Sequence, residues 1–283
     1  MLRRQTTGSV VCASCGTLVG VNDDKCYNCG RSNPGLWGYA GAIRRLGSDL
    51  GFVQIVIISC SVLYVLMLLM SNGQIGMYGL NILAPSQGAM FQFGASGYIP
   101  MFIADRWWTV LSAGWLHGSL LHILFNMLWV RQLGPATAEV FGAGRMVIIY
   151  TVSGVTGFLA SSIMGYLLPG VPLLGGAGLT LGASASVFGL LGSLVAYGKL
   201  RGSSAEASQA MGYAIALFVF GVVMAGVDNW AHLGGFGGGY LVARWLDPWK
   251  PERLDHLVGA LICLGASALA IVASVIHYYL NVF

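Results

Sequence analysis

An all-α polytopic membrane fold, with six spans forming a core and a seventh following it, is what three features of the chain predict. Of its 283 residues, 56% are hydrophobic and only 8% charged, where soluble domains carry roughly a quarter charged residues. Apolar stretches at 52–70, 114–133, 146–168, 181–199, 209–226, 229–246 and 257–279 come close to the roughly 20 residues a helix needs to cross a hydrocarbon layer about 30 Å thick. The 14 Lys and Arg residues are also unevenly placed. With the basic N-terminus (Arg3, Arg4, Lys25, Arg31, Arg44, Arg45) in the cytoplasm, the connections after spans two, four and six are cytoplasmic. These hold Arg131 and Arg145, Lys199 and Arg201, then Arg244, Lys250 and Arg253, which leaves Arg106 alone outside. Such a bias sets orientation, so the N-terminus is expected inside and the C-terminus outside, in a membrane of the bacterial plasma type. The net charge of +4 then reflects topology. With no aromatic-basic stripe, nucleic acid is not an expected partner.

The N-terminal segment, residues 1–32, reads as a small cytoplasmic domain. Cys12-Ala13-Ser14-Cys15 and Cys26-Tyr27-Asn28-Cys29 form two Cys-X-X-Cys knuckles, each followed by glycine (Gly16, Gly30). Four thiolates so spaced can close one tetrahedral site suited to zinc, and the glycines permit the turn that wraps the ion. The segment is therefore expected to be zinc-ribbon-like, with Cys12, Cys15, Cys26 and Cys29 holding a structural Zn²⁺. A pair of disulfides or a redox motif is the rival reading, and a reducing cytosol counts against disulfides. So short a segment cannot fold on apolar burial alone, so metal would supply most of its stability. Cys60 and Cys263 stand singly in spans, as small packing residues.

Residues 33–51 contain Pro34 and several glycines and charges without a long apolar run. They read as a linker, with room for a short interfacial helix around Trp37 to Leu46. The first fifty residues lack the apolar centre of a cleavable signal peptide, so the first span is expected to double as the targeting signal. Between spans one and two, residues 71–110 are too long for a turn. Gly94, Gly97, Pro100, Trp107 and Trp108 suggest a half-submerged loop with interfacial tryptophans.

Polar groups in hydrocarbon need partners and are functional candidates by default. Span two carries His117, then His122 and Asn126, which lie four apart on one helical face. Span four carries Ser184 near its start, and span six carries His232 near its own. All three spans run in the same direction under the topology above, so Ser, His, His and Asn should meet at one level near the outer surface. Ala185, Gly189 and Ser193 on span four, and Gly235 and Gly239 on span six, recur at intervals of four. Such small-residue faces let backbones approach closely enough for a Ser184 to His232 hydrogen bond. The bland alternative is packing alone, with the serine bonded to its own helix carbonyl. Ser186 points about 200° away from Ser184 around the helix. Asp228, four positions before His232, is a candidate third member, but a dyad is the simpler assignment.

The run His117, His122, Asn126, then Gly182-Ala183-Ser184, then Ala231-His232-Leu233-Gly234-Gly235 through Gly239 resembles the rhomboid intramembrane serine proteases over roughly residues 50–250. That resemblance implies a six-helix rhomboid-like core (52–250), followed by a seventh transmembrane helix and C-terminus (251–283). It implies Ser184 as nucleophile and His232 as general base and acid. His122, Asn126 and the Ser184 amide would form the oxyanion hole, and His117 would be structural, holding the external loop. No cofactor is implied for catalysis. The sequence departs from the family in two places: Ala185 stands where glycine is common after the serine, and Trp108 is followed by Thr109 where Trp-Arg is common, with Arg106 close by.

Three functions are compatible with these residues. A serine endopeptidase would hydrolyse single-pass or polytopic membrane proteins in the bilayer. A non-catalytic rhomboid-like binder would recognise membrane helices, though an intact Ser184 and His232 weigh against it. A transporter would need polar residues along the whole path, whereas here they gather in the outer half.

Overall fold

The computed structural model describes residues 4–12, 15–44, 46–79, 81–171, 174–224, 226–250 and 252–282. Arg3, Ala13, Ser14 and Arg45 lie outside them. The N-terminal part contains a hairpin, β1 (Ser9–Val11) and β2 (Leu18–Gly20), with Val10 opposite Val19. Its core is small: Val10, Cys12, Val19, Val21, Cys26 and Ala40. Ala40 comes from α1 (Ala40–Arg44), which follows a single 3₁₀ turn at Leu36–Gly38. The expected interfacial helix is thus two short pieces, and Ala40 of the second packs against the hairpin.

Helices of 17 to 29 residues occupy all seven expected spans: α2 (Phe52–Leu69), α5 (Leu120–Phe141), α6 (Ala143–Leu167), α7 (Ser184–Arg201), α8 (Ser204–Val223), α9 (Asn229–Trp245) and α10 (Leu254–Val282). Phe52–Leu69, Ala143–Leu167, Ala205–Val223 and Leu254–Asn281 are long and apolar enough to cross a membrane on their own composition. The other three are diluted by what makes them interesting. α5 holds His122, Asn126, Arg131 and Glu139, α7 is rich in Gly and Ser, and α9 has five glycines. Their neighbours shield them, and α7 buries most of its length from Ala185 to Gly198.

Two expected helix starts move inward. Span two begins at Leu120 rather than 114, because Ser119 caps it, its Oγ accepting from the His122 amide at 3.2 Å. The residues before it form α4 (Thr109–Ser112) and a 3₁₀ turn at Ala113–Trp115. His117 therefore lies in an extended entry segment rather than on the helix. Span four begins at Ser184 rather than 181, because Gly182 at φ +126° sits in backbone space no helix uses. The loop between spans one and two also has regular structure. It contains a second hairpin, β3 (Gly76–Tyr78) and β4 (Asn81–Ala84), then α3 (Gln87–Phe93) and a π turn at Ile99–Ile103.

α9 packs on α7 and α6 without side chains between the backbones. A methyl at Gly235 would stand 2.1 Å from the Ala185 carbonyl oxygen, and one at Gly239 would stand 2.0 Å from that of Gly189. The small-residue faces of spans four and six do meet, as expected. At the far end of the bundle, Glu252 accepts from the Arg145 amide in the first turn of α6 at 3.0 Å, and Arg145 Nη1 donates to the Lys250 carbonyl at 2.9 Å. A carboxylate at a helix N-terminus is favourable, and these bonds tie the start of α10 to the junction of α5 and α6.

Candidate active site

Ser184 is the first residue of α7 and is half-buried. Its N–H therefore has no acceptor one turn back within the helix. Its side chain does not bond its own helix, as buried Ser153 does with the Ile149 carbonyl at 2.6 Å. Instead Ser184 Oγ lies 3.0 Å from His232 Nε2. His232 sits in the first turn of α9, and its ring stacks on Phe188 with centroids 4.2 Å apart and planes 13° apart. Phe188 is one turn below Ser184, so a single face of α7 supplies both the hydroxyl and the surface that orients the ring.

Asp228 is otherwise engaged. One carboxylate oxygen caps α9 by accepting from the Ala231 amide at 3.1 Å, and the other accepts from Ser161 Oγ. His232 Nδ1 is buried without a hydrogen-bond partner among the described residues. Orientation of the imidazole comes from stacking, and the arrangement is a pair rather than a triad.

His122 and Asn126 face the same point from α5. The Gly118 amide donates to His122 Nδ1 at 3.3 Å, so in the neutral ring Nε2 carries the proton. That Nε2 points at Gly182: a methyl there would lie 2.6 Å from it and 3.8 Å from Asn126 Nδ2. Asn126 uses one amide hydrogen on the His122 carbonyl at 3.0 Å and keeps a second donor. Gly182 is thus required twice, by its φ of +126° and by the space its missing side chain leaves. His117 is fully buried and meets His122 edge-on, ring centroids 5.2 Å apart. Ser186 is buried and faces Gly154 of α6, where a methyl would come within 2.8 Å of its Oγ. It lies away from the site, as its angular position requires.

The rhomboid domain model matches residues 104–248, just over half of the chain, and these residues contain every group above. The chain belongs to the rhomboid family. The intramembrane serine protease is the general kind of that family. This rhomboid is 28% identical to the RHOMBOID-like protein 7 of Arabidopsis thaliana, over 64% of this chain and 58% of that protein. It is 31% identical to RHOMBOID-like protein 4 of the same plant, over 57% of this chain and 39% of that protein. With the Rhomboid protease GluP of Bacillus subtilis the identity is 29%, over 61% of this chain and 32% of that protein. The matches cover less than two thirds of these relatives' own lengths.

Outside the matched domain, the rhomboid carries its four N-terminal cysteines as one cluster. Their sulfur atoms all lie within 4.8 Å of one another, with Cys12 to Cys29 at 3.8 Å and Cys15 to Cys26 at 3.6 Å. The 3.8 and 3.6 Å separations lie close to the edge of a tetrahedron with metal–sulfur bonds of about 2.3 Å, which is about 3.8 Å. The Gly16 and Gly30 amides return to the carbonyls of Cys12 and Cys26 at 3.1 and 2.9 Å, at φ of +75° and +71°. The knuckle glycines have the expected role, and the cluster fits a zinc-ribbon-like segment able to bind a metal ion. The thiols differ in acidity. A hydrogen bond with the Thr17 hydroxyl is the main cause that brings Cys15 down to about 6. Cys29 is pushed up to about 11: the Arg31 amide pulls it down, but desolvation and the neighbouring sulfurs outweigh that pull.

Phe188 and Gly118 are the site residues the sequence reading passed over. Phe188 had a signal, its i+4 spacing from Ser184. Gly118 had none, because it acts through its backbone amide.

Proposed function

We propose that this rhomboid is an intramembrane serine endopeptidase that cuts membrane-protein helices through a Ser184–His232 dyad. The observation that carries this reading is the 3.0 Å approach of His232 Nε2 to Ser184 Oγ, at a point flanked by His122, Asn126 and the free amide of a helix start. With its proton on Nδ1, His232 accepts the Ser184 proton at Nε2 while Oγ attacks the scissile carbonyl carbon. The carbonyl oxygen becomes an oxyanion, which the Ser184 N–H, His122 Nε2–H and Asn126 Nδ2 are placed to stabilise. The intermediate collapses and breaks the C–N bond, and His232 returns the proton to the leaving amine. A water then gives its proton to His232 as its oxygen attacks the acyl carbon, the acyl C–Oγ bond breaks to release the acid, and His232 passes the proton to Ser184 Oγ. Substrate helices must unwind to expose a carbonyl to this site, which favours small or helix-destabilising residues beside the cut. The charge bias supports a cytoplasmic N-terminus and an extracytoplasmic site. Mass spectrometry of a transmembrane substrate incubated with the purified chain tests the reading. Two fragments defining one bond are expected. A wild-type chain that retains the substrate uncut would instead be a binder.

Asn126→Ala is expected to lower kcat by about 10²–10³, the usual cost of one oxyanion donor, with little change in KM. An unchanged kcat removes Asn126 from the hole.

For the N-terminal segment we propose a structural Zn²⁺ held by Cys12, Cys15, Cys26 and Cys29. The tetrahedral sulfur spacing supports it, as does a core of six small residues, too few to fold without a staple. A strong chelator is expected to release one zinc per chain and to speed amide exchange in the β1–β2 hairpin. Release should grow easier as pH falls and the thiolates reprotonate. Hairpin protection that survives complete zinc removal would exclude the structural role.

A further inference from the structure

The matched rhomboid domain ends at residue 248, yet the helix beyond it reaches back to Arg106 and Trp108 within that domain. The C-terminal half of α10 meets the loop that precedes α4. Arg106 is fully buried there. Its Nη2 donates to the Ser274 carbonyl at 3.1 Å and its Nη1 to the Phe91 carbonyl at 2.7 Å, with the guanidinium 4.2 Å from the Phe91 ring centroid. Trp108 Nε1 donates to Ser274 Oγ at 3.1 Å, and its ring packs on His277 at 5.5 Å. Gly94 completes the knot: a methyl on it would come within 2.4 Å of both Ser112 Oγ and Ser274 Oγ.

Two backbone connections lead from this knot to the nucleophile. Ser96 and Thr180 exchange N–H to O bonds of 2.9 and 2.8 Å, and the Gly182 amide donates to the Ala113 carbonyl at 3.0 Å. Residues 96 and 113 flank the segments that Arg106, Trp108 and Ser112 anchor. Residues 180–182 run directly into Ser184. At its other end α10 is tied through Glu252 and Lys250 to the start of α6, so the helix is fixed at both ends of the bundle.

We propose that α10 is a strut that positions the Gly182–Ser184 turn, with Ser274 and Trp108 as positioning residues that act through the 94–113 segment. This rests on the protease reading for its catalytic consequence, and on geometry alone for its mechanical one. The residues facing the knot come from α3, α4, α10 and the connecting loop, and none touches the reacting atoms.

The test compares Ser274→Ala, Trp108→Phe and the double variant in the full chain. It measures the rate of fluorophosphonate labelling at Ser184 per folded molecule, kcat and KM on a transmembrane substrate, and amide exchange of peptides spanning 177–184. Each single change should slow labelling and kcat by about three- to tenfold, the range one net hydrogen bond converts to, while KM holds. The double variant should be no slower than the worse single, because both remove the same bond. Exchange at Thr180 and Gly182 should quicken in step. Labelling and exchange at wild-type rates would overturn the proposal, as would a double variant whose loss is the product of the two singles. If the wild type does not label at all, the protease reading fails, and the exchange data still decide whether α10 holds the turn.

Discussion

Ser184→Ala and His232→Ala are each expected to abolish fluorophosphonate labelling and to lower cleavage by about 10⁶-fold, the loss seen when either half of a serine–histidine unit is removed. The double variant should be no worse than either single, because the two groups act in one step. Ser184 without its base is an ordinary alcohol, and His232 without the hydroxyl has no nucleophile to activate. The 3.0 Å contact joins the two groups directly, so the effect should be all-or-none rather than graded. Ser186→Ala is the matched control, since Ser186 faces Gly154 on α6 and should label at the wild-type rate. Labelling that persists in Ser184→Ala and disappears in Ser186→Ala would reassign the nucleophile. Asp228→Asn should cost less than about tenfold, because that carboxylate is used on the Ala231 amide and Ser161 rather than on the imidazole.

The site was legible in sequence because polar residues in apolar helices are expensive and therefore informative. Ser184, His232, His122 and Asn126 each stand out against their spans, and the common direction of spans two, four and six brings them to one level. The knuckle cysteines were legible for a similar reason, since their spacing and trailing glycines encode a local turn that needs no distant contact. Helix starts were less so. Composition carries apolar character through 114–119 and 181–183, but Ser119 and Gly182 end it by capping and by backbone conformation. Ser119 three residues ahead of His122 was a readable cap. The loop between spans one and two was the least legible part. Its short elements owe their places to non-local partners, such as Thr180 for Ser96 and Ser274 for Arg106 and Trp108, and no period in the loop announces them.

Gly235→Val should produce the second large effect, through distance rather than chemistry. The added Cβ would meet the Ala185 carbonyl oxygen at 2.1 Å, well inside contact distance, and the obstacle is backbone on a helix packed on its other sides. No side-chain rotation relieves it. α7 and α9 must separate, and because Ser184 immediately precedes Ala185 while His232 lies one turn before Gly235, the separation falls directly on the 3.0 Å Ser184–His232 contact. An opening of about 1 Å takes that pair beyond hydrogen-bonding range, and a misplacement of this size costs about 10²-fold in rate. We expect kcat to fall by at least that factor, together with a loss of stability of about 1–3 kcal/mol from overpacking. Gly237→Ala, on the same helix but with nothing within 4 Å of its added methyl, should leave both unchanged. Thermal unfolding in detergent and the labelling rate per folded molecule separate the two effects. A Gly235→Val chain that is destabilised yet labels Ser184 at the wild-type rate would show that the α7–α9 interface stabilises the bundle without setting the dyad. Slow labelling in a chain that remains folded would show that the glycines of α9 hold the hydroxyl and the imidazole together.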